Sequence, residues 1–122
     1  MEWNLVIHDK DRYLEVVTSG IVDSDGTVDM AQAIAQTMKS NRLTKALIDH
    51  RNVVNVLGST LATYNRPKIL RFIGLTLGIK LAELIRPEHE NHFKFFETVC
   101  FNQGYKLSVF YDKENALTWL LT

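Results

Sequence analysis

Lys45-Ala46-Leu47-Ile48-Asp49-His50-Arg51-Asn52 is the stretch on which the reading of this chain turns. A short apolar run ends there in four polar residues, three of them ionisable. An apolar run of that length suits a strand covered on both faces, as in a parallel sheet inside an α/β layer. In open sheets of that kind, ligands gather just beyond the carboxyl ends of the strands. The expectation is that the strand ends near Ile48 and delivers Asp49, His50, Arg51 and Asn52 to that rim.

Working back toward residue 1, Trp3, Leu5 and Ile7 alternate with Asn4, Val6 and His8, and Leu14, Val16 and Thr18 repeat the pattern. This is strand periodicity, and the polar turn Asp9-Lys10-Asp11-Arg12 makes it an antiparallel hairpin. Asp23-Ser24-Asp25-Gly26-Thr27 reads as a loop leading into a helix, with Thr27 or Asp25 as cap. Val28, Ala31, Ile34, Ala35 and Met38 then form one apolar helical face, and Asn41 is a plausible stop.

Beyond Asn52, Gly58-Ser59-Thr60 precedes Leu61, Tyr64, Ile69, Leu70 and Ile73, the pattern of a second helix. Pro67 should kink or divide it, because its ring blocks a backbone bond. Ile79 to Ile85 reads as a strand. Pro87 fits the first turn of a third helix, whose face carries Phe93, Phe96, Val99 and Cys100 and whose end is Gly104. Leu107, Val109 and Phe110 make a last strand, and Asp112 caps a final helix with Ala116, Leu117, Trp119 and Leu120. The expected fold is α/β: a single-layer, mostly parallel five-stranded sheet with four helices, order ββαβαβαβα, forming one domain over 1–122.

The totals narrow the function classes. Fourteen basic and fourteen acidic residues cancel, which removes any global electrostatic reason to expect nucleic acid or an anionic membrane as partner. One cysteine, Cys100, excludes an internal disulfide and a cysteine-rich zinc site. The opening Met1-Glu2-Trp3-Asn4-Leu5 lacks the features of a signal peptide, and no apolar run approaches the roughly eighteen residues of a membrane span. The expectation is a cytoplasmic domain without integral membrane segment or cofactor.

Several phrases carry a resemblance. Leu47-Ile48-Asp49-His50-Arg51-Asn52, Phe95-Phe96-Glu97-Thr98-Val99, Asn102-Gln103-Gly104, Val109-Phe110-Tyr111-Asp112 and Ala116-Leu117-Thr118-Trp119-Leu120 resemble the SpoIIAA-like group of the STAS superfamily, the fold of anti-sigma-factor antagonists. The resemblance spans essentially the whole chain and implies a small regulatory or binding domain. STAS antagonists carry a phosphorylatable serine in an Asp-Ser-Ser-Gly phrase at the start of the second helix. The matching place here is Leu57-Gly58-Ser59-Thr60-Leu61, which has the hydroxyls without the preceding acid or the following glycine. Many members also resemble CRAL-TRIO lipid-transfer domains in fold, which implies an apolar ligand as an alternative.

Candidate site residues follow. Asp49, His50, Arg51 and Asn52 could contact a ligand or hold their loop by ion pairs. Asp49 and His50, adjacent on a strand, point to opposite faces and cannot readily touch. Ser59 and Thr60 suit helix capping, and the positive helix end would equally favour a phosphate there. Tyr64 lies on the same expected helix. His89 and His92 share a helix face among carboxylates, but no third metal ligand announces itself, and no metal is expected. The aromatic group Phe93, Phe95, Phe96 and Phe101 exceeds one helix stripe, so Phe95 and Phe101 are candidates for a partner surface or a cavity wall. Cys100 reads as an inert core thiol. Arg66, Lys68 and Arg71 read as a solvated face.

Three readings stand. The first is a non-catalytic regulatory domain working through protein contacts around the second helix and the loop from Asn52 to Ser59. The second is a carrier or sensor of a small apolar or acyl ligand. The third is a small enzyme centred on His50. The surplus aromatics are compatible with a homodimer, and the sequence leaves the oligomeric state open.

Overall fold

The structure is a computed structural model that describes residues 1–57, 78–102 and 104–122. β1 (Glu2–His8) and β2 (Tyr13–Val22) form the antiparallel hairpin, turning through Arg12 at φ 56°. α1 (Ser24–Ser40) leads to β3 (Lys45–Val56), and β4 (Lys80–Leu84) follows residues 58–77. A 3-10 turn, Pro87–His89, opens α2 (Glu90–Asn102), and β5 (Lys106–Phe110) and α3 (Lys113–Leu120) complete the order. The sheet runs β1-β2-β3-β4-β5, antiparallel at the first pair and parallel elsewhere. The described residues contain three α-helices. The helix expected around Tyr64 and Pro67 lies outside them.

Two cores separate on the two faces of the sheet. Leu14, Val16, Ala46, Ile48, Leu81, Leu107 and Val109 point to the face covered by α1 and α2, where Ile34, Met38, Phe93 and Phe96 meet them. Tyr13, Leu47, Ala82 and Leu84 point the other way, to Ala116 and Leu120 of α3. Each fully buried aliphatic side chain contributes about 1.5–3 kcal/mol, so this two-sided burial is what holds the parallel strands.

Two expectations are corrected. The α1 cap is Asp23, not Thr27 or Asp25. Its carboxylate accepts the Gly26 N–H at 2.6 Å, while the Thr27 hydroxyl donates back to the Asp23 carbonyl, so the helix begins a turn earlier. Gly26 sits inside the helix because a Cβ there would come within 2.9 Å of Met1 Sδ. The second correction concerns β3, which does not stop at Ile48. It runs on to Val56 because β2 is equally long and keeps pairing with it after β4 has ended opposite Asp49. Asp112 and Gly104 lie where the sequence places them. The former accepts the Asn115 N–H, and the latter adopts φ 80° just past α2.

Candidate functional site

Strand alternation, carried through the longer β3, divides Asp49-His50-Arg51-Asn52 between the two sides of the sheet. Pairing of β2 with β3 slips between Val17 and Ser19, so Thr18 stands opposite the extra residue that β3 carries there. Bulges of this kind re-aim side chains and recur beside binding sites. Here His50 turns to the α1–α2 face, while Asp49 and Arg51 turn to the other.

On the inner side, His50 Nδ1 lies 2.8 Å from Thr18 Oγ1, and that hydroxyl also reaches the Asp49 carbonyl at 3.3 Å. The hydroxyl has one proton. Either it donates to the carbonyl and accepts from Nδ1–H, or it donates to Nδ1. Both arrangements fix the ring, and Phe93 stacks on it with centroids 4.5 Å apart. His50 Nε2 then faces Glu83 of β4, whose Oε2 is 3.3 Å away. This is ion-pair range without hydrogen-bond alignment, and Glu83 Oε2 is buried with no hydrogen-bond partner among the described residues.

His92 of α2 closes the group from above. Burial pushes its pKa down to about 4 against an opposing pull from Glu83, and the nearby His50 and His89 lower it further. Its imidazole is therefore neutral near pH 7. Burial together with Glu83 pushes the Cys100 thiol up to about 12, so it is no nucleophile. Thr18, His50, Glu83 and His92 are all more than nine-tenths buried.

Beside this group lies a cavity of about 30 Å³, lined by His50, Glu83 and His92 and by apolar residues that include Met1, Met30 and Phe96. One or two water-sized groups fit in it. Thr27 adds a fourth polar side chain to a described lining that is otherwise apolar, an arrangement that can grip a small ligand's polar end.

On the outer side, Asp49 accepts from the Arg51 backbone N–H at 3.0 Å, from Nε at 3.0 Å and from Nη2 at 2.9 Å. Burial raises the Asp49 carboxyl, but these bonds outweigh it and the net shift is downward; the same contact raises Arg51. Asp49, Arg51 and Asn52 line an open cleft of about 450 Å³ with Ile85, Arg86, Pro87 and Tyr111.

Of the remaining sequence candidates, Ser59, Thr60 and Tyr64 lie outside the described residues, as do Arg66, Lys68 and Arg71. Phe95 is partly buried against the core, whereas Phe101 is 78% exposed. Among the described residues no group of three His, Cys, Asp or Glu side chains is arranged to hold a metal ion, and no helix is long and apolar enough to cross a membrane. Sequence reading passed over Glu83 and Thr18. The signal for Glu83 was available: a lone acid two residues from Leu81 and two from Ile85 shares their inward face.

Two solved structures are similar over nearly the whole chain. An uncharacterised protein of the DUF3478 family with a SpoIIAA-like fold, from Shewanella loihica PV-4, aligns with TM-score 0.56 and 20% identity over 98% of this chain and 92% of that one. An anti-sigma factor antagonist from Mycobacterium paratuberculosis aligns with TM-score 0.59 and 15% identity over 98% and 94%. No family model and no curated protein matches the chain. The fold is SpoIIAA-like, as the sequence resemblance implied.

Proposed function

We propose that this chain is a regulatory domain that works by binding another protein, with contacts centred on the segment after β3. The observation that carries this reading is the end-to-end structural likeness to an anti-sigma factor antagonist, 98% of this chain on 94% of that one. Local features favour the same place. β2 and β3 extend past β4, and Ile21, Val54 and Leu57 expose large apolar side chains near that extension. Exposed apolar groups at the end of a rigid sheet are the usual raw material of a protein interface.

Ser59 and Thr60 follow Leu57 by two and three positions in the sequence, and phosphate on either would add about two negative charges to the chain just past β3. The test is to compare partners captured by the wild type with those captured by Ser59→Glu and Thr60→Glu, then to measure affinity with the purified partner. A change of tenfold or more in that affinity supports the reading. Unchanged binding by both variants removes the phosphate switch, and the absence of any saturable protein partner removes the reading itself.

A carrier or sensor of a small ligand is the second reading, favoured by the polar-floored cavity between the sheet, α1 and α2. The described cavity is far too small for an acyl chain.

A further inference from the structure

Glu83 Oε2 has no donor among the described residues, although a carboxylate oxygen shut away from water ordinarily has one. It faces a cavity whose other polar lining groups among the described residues are His50, His92 and Thr27, the rest of the described lining being apolar. A carboxyl oxygen left without a partner can accept a hydrogen bond, so the complementary group is a donor. Among the described residues, every one that lines the cavity is buried except Met1, which is half-buried and so marks a way out. Methionine is an adaptable wall, unbranched and easily repacked. Gly26 leaves room for it, since a Cβ at that position would press on both Met1 Sδ and Met1 Cβ.

We propose that this cavity is a binding site for a small ligand with a hydrogen-bond-donating head, a hydroxyl or an ammonium, on a compact apolar body. The head sits in the 30 Å³ space and donates to Glu83 Oε2. The apolar body takes the place of the Met1 side chain against Val22, Met30 and Phe96. Thr18 acts as a positioning residue, holding the His50 ring so that Nε2 remains beside the carboxylate. This goes beyond the partner-binding reading, and the isolated protein tests it without any partner. Its failure therefore leaves that reading standing.

The experiment titrates the full chain with benzyl alcohol, benzylamine and toluene, following the methyl signals of Met1 and Met30 and the ring signals of His50 and His92 by NMR. The expected result is saturable shifts at these residues for the alcohol or the amine, with toluene binding about tenfold more weakly because it offers no donor. The two polar probes distinguish a hydroxyl ligand from an ammonium one. In Glu83→Leu the preference over toluene should fall to about one. Should that variant not fold, Glu83→Gln keeps an acceptor oxygen and should retain the alcohol while losing any advantage of the amine. Equal binding of all three probes to the wild type, shifts that map elsewhere, or no saturable binding overturns the proposal. So does a crystal grown with benzyl alcohol in which Glu83 meets ordered water only.

Discussion

Glu83 Oε2 and His50 Nε2 stand 3.3 Å apart on neighbouring parallel strands, sealed between the sheet and α2. Charged or strongly polar groups in such a place are costly unless they are held and paired. Thr18 and Phe93 hold the imidazole from two sides, which makes this corner of the core sensitive to single changes.

Thr18→Val keeps the shape of the side chain and removes the hydroxyl. His50 Nδ1 then loses its partner in a buried site, at a cost of about 1–3 kcal/mol. Thr18→Ser retains the hydroxyl and should cost less. Urea unfolding should show a lower midpoint for Thr18→Val with an unchanged m value.

His92 sets a pH window of its own. Its folded pKa, about 4, lies below the ordinary 6.5, so the unfolded chain binds the proton more readily between those values. Stability from this residue is complete above pH 6.5, declines as the pH falls toward 4, and then levels off. His92→Gln cannot titrate and should flatten the Tm against pH curve in that interval. Glu83, His50 and His89 all act on this imidazole.

Asp49 acts lower on the scale. Its carboxyl is held below the ordinary 3.8, so the stability it contributes is present above that value and is lost as the pH falls through the folded one. Arg51→Ala removes both side-chain bonds and leaves a buried carboxylate with the Arg51-position N–H alone. The variant should lose about 1–3 kcal/mol at pH 7 and show a shallower decline below about pH 4. Thermal unfolding from pH 2.5 to 7 separates this limb from that of His92.

Cys100 should resist thiol reagents. With its pKa at about 12 and the sulfur buried, the native protein at pH 8 should react with DTNB only as fast as it opens, whereas the chain in urea should react at once. Rapid labelling of the native state would contradict the packing of α2 on the sheet.

Much of this fold was legible because its periodicities are local. Alternation in β1 and β2, the spacing of Val28, Ala31, Ile34 and Met38, and the Asp112 and Gly104 caps all act within a few residues. The end of β3 was not legible. Asp49 to Asn52 look like a terminus because they are polar, yet the pairing that keeps them in the strand comes from Val17 to Val22, roughly thirty residues away. The site was legible only in part for the same reason. Thr18, His50, Glu83 and His92 come from four elements, and although His50 and His92 stand out locally, nothing in the sequence joins them to each other or to Thr18 and Glu83. Asp23 lost out to Thr27 and Asp25 as a cap in the sequence reading because Gly26 resembles a loop residue until Met1 is seen lying against it.

The most direct test of the account is a ¹⁵N NMR titration of the His92 ring, since the central claim is that α2 seals a neutral imidazole over Glu83 and His50. The account predicts a ring that stays neutral on acidification until about pH 4. A midpoint near the ordinary 6.5 would place His92 in water and contradict the buried site.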